Sequence, residues 1–271
     1  MNWRDAHNHL QDARLDAVVP EWLPQAEAHG VARMVVNGTC PEDWPQVAAL
    51  AQAHSTVIPS FGLHPWRVDH ARADWFDALR RAWDDRPSAA GEIGLDRWMP
   101  GLDLVRQEEA FLRQWREAAA RELPVTIHCL RHWGHLLKLL RSEPRPPAFL
   151  LHSYGGPREM VPEFAALGAY FSVSPAFLWP SRAAKWAVFL DVPADRLLLE
   201  TDAPDMVGPP ACVAHPLAPD AQGRPVNHPG NLIAFAHQVA AARGESIDAL
   251  AVRTAANFQS WLGPLAAPPG G

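Results

Sequence analysis

Residues 102–129, LDLVRQEEAFLRQWREAAARELPVTIHC, contain the repeating unit from which the rest of the chain can be read. Between Leu102 and Arg121 the apolar residues Leu104, Phe111, Trp115 and Ala118 fall on one helical stripe, while Arg, Gln and Glu take the outward positions. A short β-branched run follows, Val125 to His128, and it ends on a histidine. The unit is a helix, then a buried strand, then a side chain able to bind a metal at the strand's C-terminal end.

The same unit recurs in both directions. Eight short strands are expected: Trp3 to His7, Arg33 to Asn37, Val57 to Gly62, Ala89 to Ile93, Val125 to His128, Ala148 to His152, Ala169 to Val173 and Arg196 to Glu200. Segments with helical spacing separate them. The last helix is expected after Ser246, a good N-cap, and carries Ile247, Leu250, Thr254, Phe258 and Leu262. Strand and helix alternating through one composition regime mean a single α/β domain over residues 1–262, closed as a (β/α)8 TIM barrel. The Gly/Pro/Ala-rich stretch 263–271 is expected to fray. An open doubly wound sheet is the alternative, but its ligands gather at one switch point.

Here the ligand-type residues come from strands all round the sheet. They are His7 and His9 in DAHNHL, Glu92 in GEIGLD, His128 in VTIHC, His152 in FLLHS and Asp202 in LLLETDAP. Each has an ordinary structural reading. A lone His-x-His is more often accidental, Glu92 could be half of a salt bridge, His128 and His152 could be core histidines, and Asp202 could cap a helix. Those readings must all hold together, although the six positions share the C-terminal strand ends where such barrels keep their chemistry. His-x-His on a strand also projects both imidazoles to one face. Four imidazoles and two carboxylates suit two divalent cations. In that reading His7, His9 and Asp202 hold one cation, His128 and His152 hold the other, and Glu92 is shared. Neutral His and carboxylate ligands accommodate Zn, Mn or Fe, and ligand softness alone does not choose among them.

Composition sets outer bounds. The 271 residues suit one barrel, and the net charge of −6 argues against a protein that coats nucleic acid non-specifically. The polar start MNWRDAHNHL and the lack of an apolar run near 18 residues lead us to expect a cytoplasmic chain with no membrane segment. Cys40, Cys129 and Cys212 are odd in number and widely spaced, which speaks against a disulfide framework. Cys129, next to a metal-facing strand residue, is expected to point the other way and pack.

DAHNHL, GLHP, GEIGLD, PVTIHC, LLHS, GAYFSVS, RLLLETDAP and a terminal Thr254-x-x-Asn257-Phe258 occur in the order seen in TatD-like metal-dependent deoxyribonucleases, barrel enzymes of the amidohydrolase group. The resemblance runs from Asp5 to Leu262. It implies that His7, His9, Glu92, His128, His152 and Asp202 bind two divalent ions, usually Mg or Mn, and that the chain cleaves phosphodiester bonds, acting on DNA ends or short single strands. No obligate protein partner is implied. The chain departs from the family's pattern at Asn8, at Ser153-Tyr154-Gly155-Gly156, at Ser174-Pro175-Ala176 and at Asn227-His228-Pro229. These departures fall on mouth loops and bear on substrate preference. A small-molecule hydrolase acting on a lactone, amide or phosphoester therefore remains the competing reading, and a non-catalytic metal-binding protein is the third.

In the expected reaction Asp202 and Glu92 are the catalytic carboxylates, and Asp202 accepts the attacking water's proton. His64 in GLHP, Arg97, Trp98 and Arg131 are the expected substrate groups: hydrogen-bond or phosphate donors and one stacking plane. Each Arg has a surface salt bridge as its ordinary reading, and His64 could be a structural turn residue. Trp75, Trp83, Trp115 and Trp186 sit at helical spacing and are expected to pack. Residues 203–230 contain seven prolines and three glycines. A connection of that length with no element period is unusual in a compact domain unless it is functional. It is expected to form an ordered wall over the site.

Overall fold

The computed structural model describes residues 2–267, and within them all eight expected strands form: β1 (Trp3–Asn8), β2 (Val31–Asn37), β3 (Val57–Phe61), β4 (Ala89–Asp96), β5 (Val125–Leu130), β6 (Phe149–Leu151), β7 (Ala169–Val173) and β8 (Leu197–Leu199). They are parallel and ordered β1 to β8 in one sheet. Just past β8 the chain returns to β1, where Asp202 N–H donates to His7 C=O at 2.9 Å and His9 N–H donates to Ala203 C=O at 2.7 Å. These bonds draw the two edges together into a (β/α)8 barrel.

Burial explains the composition of the strands. Every residue of β4 is buried, as in a parallel sheet covered on both faces. One apolar cluster lines the barrel interior with Ala6, Val35, Ile58, Leu150, Tyr170 and Leu198, and it closes on Phe258, Trp261 and Leu262 of the last helix. That helix (Ile247–Leu262) starts at Ser246, whose side chain accepts from Ala249 N–H as the sequence suggests. It plugs the barrel's N-terminal end, so the open end is the one with the ligand residues. Gly263–Ala266 form a 3-10 turn, and Leu265 C=O accepts from Arg33 Nη2 at 2.7 Å. Residues 268–271 lie outside the described residues.

The helix read from the sequence over 102–121 spans Leu104–Ala120 and is capped by Asp103. Its buried face differs from the expected one. Gln107 and Gln114, read as outward on polarity, are buried beside Phe111 and Trp115, whereas Leu104 is only half-buried. Gln107 accepts from Asp96 N–H at 2.7 Å and donates to Asp96 C=O at 3.1 Å, and Gln114 does the same for Leu63, at 2.6 and 3.2 Å. A primary amide matches the donor and acceptor of one peptide unit, so each glutamine satisfies a backbone position where its strand runs out of sheet partners. The two glutamines thereby fix the ends of the strands that carry the site.

Among the described residues no helix is long and apolar enough to cross a membrane. Cys40, Cys129 and Cys212 are free thiols, and Cys129 packs in the main core cluster.

Candidate metal centre

Glu92 projects from the middle of β4 and is 2 % exposed. Its two oxygens face two different groups of histidines. Oε2 lies 3.4 Å from His7 Nε2 and 3.3 Å from His9 Nε2. Oε1 lies 3.0 Å from His128 Nδ1, 2.8 Å from His152 Nε2 and 3.5 Å from His64 Nε2. Asp202 joins the first group, its Oδ1 3.5 Å from His7 Nε2 and 3.8 Å from His9 Nε2. The structure thus brings together all six residues read from the sequence, with Glu92 between the halves.

The close approach of β4 to β5 depends on Gly94, which pairs with His128. A Cβ on Gly94 would lie 1.9 Å from His128 C=O, so any side chain there would displace the histidine-bearing strand.

Partners behind the rings set which nitrogen faces the centre. His9 Nδ1 is 2.8 Å from Asn37 C=O, so it carries the proton and leaves the Nε2 lone pair inward. His128 Nε2 is 2.8 Å from Asp96 Oδ2, which leaves Nδ1 inward. His152 Nδ1 lies 3.6 Å from Glu200 Oε1, and Glu200 is itself held by Ser153 and Ser172. A carbonyl behind His9 and a carboxylate behind His128 are the arrangement that orients metal-binding histidines. His64 differs. Its Nδ1 accepts from Trp66 N–H at 3.1 Å, so Nε2 carries the proton and points at Glu92 as a donor.

Without a cation the cluster is electrostatically frustrated. His7 and His9 Nε2 atoms stand 3.1 Å apart, too close for two facing lone pairs unless a proton or a cation comes between them. Burial, helped by His152, pulls His7 down to about 4. His9 is also pulled down by burial, but Glu92 and Asp202 outweigh that and lift it to about 9. Asp202 is pushed up to about 8 by burial, with Glu200 and Glu92 adding and His152 and His9 opposing. Burial would also raise Glu92, yet His152, His64 and His7 hold it well below the usual carboxylate range. Buried His7 Nδ1 and His152 Nδ1 have no hydrogen-bond partner among the described residues. Among the described residues four ligand groupings share these residues: His7 with Glu92 and His152, His7 with His9 and Asp202, His64 with Glu92 and His128, and His152 with Glu200 and Asp202. The donor set fits divalent cations.

A cavity of about 780 Å³ opens above the cluster and is lined by His9, Glu92, His128, His152 and Asp202. His64, Trp98 and Arg131 also line it. Arg97 does not. It is exposed, and among the described residues its side chain has no hydrogen-bond partner, while its backbone N–H donates to Leu130 C=O at 2.9 Å. Sequence reading passed over several residues that the structure brings to the site. Asp96 and Glu200 lie two positions along from Gly94 and before Asp202, so strand alternation could have marked both as facing the same way as a ligand. Of the other cavity-lining residues, Trp66 and Arg182 sit on 3-10 turns, Lys185 on a one-turn helix and Asp205 and Met206 on a loop, none with a strand period.

The 203–230 segment is a wall at its first part only. Asp205 and Met206 reach the cavity, and Arg14 holds Asp205 through two bonds of 2.8 Å. Further along, Asn227 is buried and donates to Thr201 C=O at 2.9 Å, tying the segment back to the end of β8.

A parallel (β/α)8 barrel with a histidine–carboxylate cluster at the C-terminal strand ends defines a metal-dependent hydrolase. Comparison with known proteins gives the family: the TatD related DNase model matches residues 4–263, and the chain belongs to that family. It is 33 % identical over 257 residues to the 3'-5' ssDNA/RNA exonuclease TatD of Cronobacter sakazakii, covering 92 % of this chain and 93 % of that one. It is 29 % identical over 205 residues to the metal-dependent hydrolase YjjV of Escherichia coli K12, covering 74 % and 79 %. The crystal structure of E. coli YjjV superposes with a TM-score of 0.85 at 27 % identity, covering 96 % of this chain and 97 % of that one. A TatD family hydrolase from Entamoeba histolytica shares the fold, with a TM-score of 0.82 at 18 % identity over 97 % and 99 %.

Proposed function

We propose that this chain is a two-cation phosphodiesterase that removes nucleotides from the ends of single-stranded DNA or RNA, in a cytoplasmic setting that suits its three free thiols. The observation that carries the reading is the division of Glu92. One oxygen faces the His7, His9 and Asp202 group and the other the His128 and His152 group, so one carboxylate could serve two cations. Mg, Mn or Zn bound there supplies Lewis acidity, making water a better nucleophile near neutral pH and offsetting charge on the phosphoryl oxygens.

The chain's own residues do the rest. Asp202, beside the first group, accepts the attacking water's proton at its carboxylate and passes it toward the leaving oxygen. His64 Nε2–H, fixed by the Trp66 N–H on its other nitrogen, donates to a phosphoryl oxygen. Asp96 keeps His128 turned inward, and Glu200 lies 3.6 Å behind His152. The exonuclease activity named for the Cronobacter relative supports the substrate class.

The test is digestion of end-labelled single- and double-stranded DNA with added Mg, Mn or Zn, beside a panel of lactones, amides and small phosphoesters. Stepwise shortening of the single strand is expected, with about two cations per chain by elemental analysis. Turnover of a lactone or amide with the DNA left intact would overturn the reading. So would protein that neither carries nor takes up metal.

A further inference from the structure

The cavity's two facing walls carry side chains that neither the fold nor the hydrolytic step accounts for. Trp66, after β3, and Trp98, after β4, line it while remaining 38 % and 49 % exposed. Their ring centroids are 6.4 Å apart with a tilt of 32°, so the indoles form one ledge. Two large aromatic surfaces left side by side in solvent mark a binding face more often than a packing remnant. The ledge is held in place from beneath. Asp96 Oδ2 accepts from Trp66 Nε1 at 2.7 Å and Asp96 Oδ1 accepts from Trp98 N–H at 2.6 Å, so one buried carboxylate sets both residues.

The other wall is cationic. Arg182 and Lys185 follow β7, four strands round the barrel from β3 and therefore across the cavity from the ledge. Among the described residues neither is paired with a carboxylate. Arg182 approaches Met206 Sδ at 3.9 Å and Lys185 donates to Gly155 C=O, contacts that leave their charge uncompensated. Arg131, beside the ledge, lines the cavity and is likewise without a carboxylate partner among the described residues. Backbone strain is concentrated at the same place. Of the five non-glycine residues in the left-handed region among the described residues, four line the cavity: Arg131, Ser153, Asp202 and Met206, with φ of 56°, 42°, 50° and 54°. Such conformations persist where the surroundings enforce them, and they cluster at ligand sites.

We infer that the cavity holds a strand end crosswise, with the terminal base flat on the Trp66–Trp98 ledge and a flanking phosphate on Arg182 and Lys185. The scissile phosphate then lies between the walls, over Glu92. Every base offers a π-face, so the ledge accepts any base, but only one free of a pairing partner. The inference rests on the phosphodiesterase reading above and adds the residues that select an unpaired end.

The experiment compares KM for a single-stranded oligodeoxynucleotide with KM for the same strand carrying an abasic terminal residue. The phosphates are equal in number and only the base differs. Wild-type protein is expected to favour the intact end by about 5- to 150-fold, the range of one base–aromatic stack. Trp98→Ala should shrink that ratio, and Trp66→Ala with Trp98→Ala should bring it close to one. Arg182→Ala with Lys185→Ala should raise KM for both strands and leave the ratio alone. It should also lower the slope of log affinity against log salt by about 0.7 per cation removed. Thermal melting of each variant separates misfolding from lost contacts, and Trp98→Ala, at an exposed side chain, is the variant least able to disturb the core.

Wild-type cleavage of both strands with no preference for the intact end would overturn the inference while leaving the phosphodiesterase reading in place. A preference that survives loss of both tryptophans would do the same. Failure of wild-type protein to cleave either strand would remove both.

Discussion

Replacing Asp202 by Asn separates metal binding from proton acceptance, and the structure indicates what should survive. Asp202 has φ of 50°, in the left-handed region, where Asn is one of the few side chains tolerated as well as Asp. Its N–H bond to His7 C=O (2.9 Å) and its C=O bond from Asp205 N–H (2.7 Å) are backbone contacts that the substitution leaves alone. The amide oxygen can occupy the place of Oδ1, 3.5 and 3.8 Å from the His7 and His9 nitrogens. What goes is the charge and the capacity to take a proton from water. A positioned general base is worth on the order of 10²–10⁴ in rate, so kcat should fall by that factor, about 2.7–5.4 kcal/mol in barrier. KM should hold, because the loss falls on the transition state. Glu92→Gln is the control. Both of its oxygens face histidines, so a neutral amide there should cost metal occupancy together with activity. The assay pairs single-turnover and steady-state cleavage of a labelled oligonucleotide with elemental analysis of the same preparations. If Asp202→Asn keeps its cations and near-normal turnover, Asp202 is not the base; His64 cannot replace it in this tautomer, because its Nδ1 accepts from Trp66 N–H and its Nε2 already carries the proton.

Two further outcomes are expected. Thr201→Val keeps the shape of the side chain but removes the hydroxyl that donates to buried Asp5 Oδ2 at 2.5 Å, and should cost about 1.5–3 kcal/mol by urea denaturation. An unchanged midpoint would mean that burial, which pushes Asp5 up to about 7, keeps the carboxyl neutral and the contact weak. Stripping divalent cations with a chelator should lower Tm, since they bind the folded cluster. Restoring a cation to about 1,000 times its Kd should return about 4 kcal/mol, or roughly 8–16 °C for a chain of this size. Identical melting with and without cations would place the metal outside the buried cluster.

What the sequence disclosed and what it concealed divide along a physical line. Strand positions were legible because a buried parallel strand announces itself by an apolar run, and the ligands were legible because each terminates such a run. Closure of the sheet then brings His7, Glu92, His128, His152 and Asp202 to one place whatever the loops do. Gln107 and Gln114 were misjudged because polarity stood in for exposure. A buried amide is inexpensive when a strand end offers it both an N–H and a C=O, and nothing local in the sequence says that one does. Loop cations were unreadable for a different reason. Arg97 and Arg131 both follow ligand-bearing strands within a few residues, yet only Arg131 reaches the cavity, because no period governs side-chain direction once a strand has ended.

Asp96 shows why the missed residues matter as much as the ligands. One of its oxygens serves both His128, which faces the metal centre, and Trp66, which faces the substrate cavity, while the other fixes the loop of Trp98. Its backbone is in turn locked by Gln107. Mouth loops of a barrel are usually free to vary because the strands beneath do not depend on them. Here the aromatic ledge and a metal-facing histidine share an acceptor atom. Loss of the Trp66 indole would leave Asp96 Oδ2 to His128 alone, strengthening its hold on the ring and altering the basicity of the nitrogen turned toward the centre. On the proposed function, recognition and metal binding would be coupled through a buried carboxylate that touches both, and changes to the ledge should be read in kcat as well as in KM.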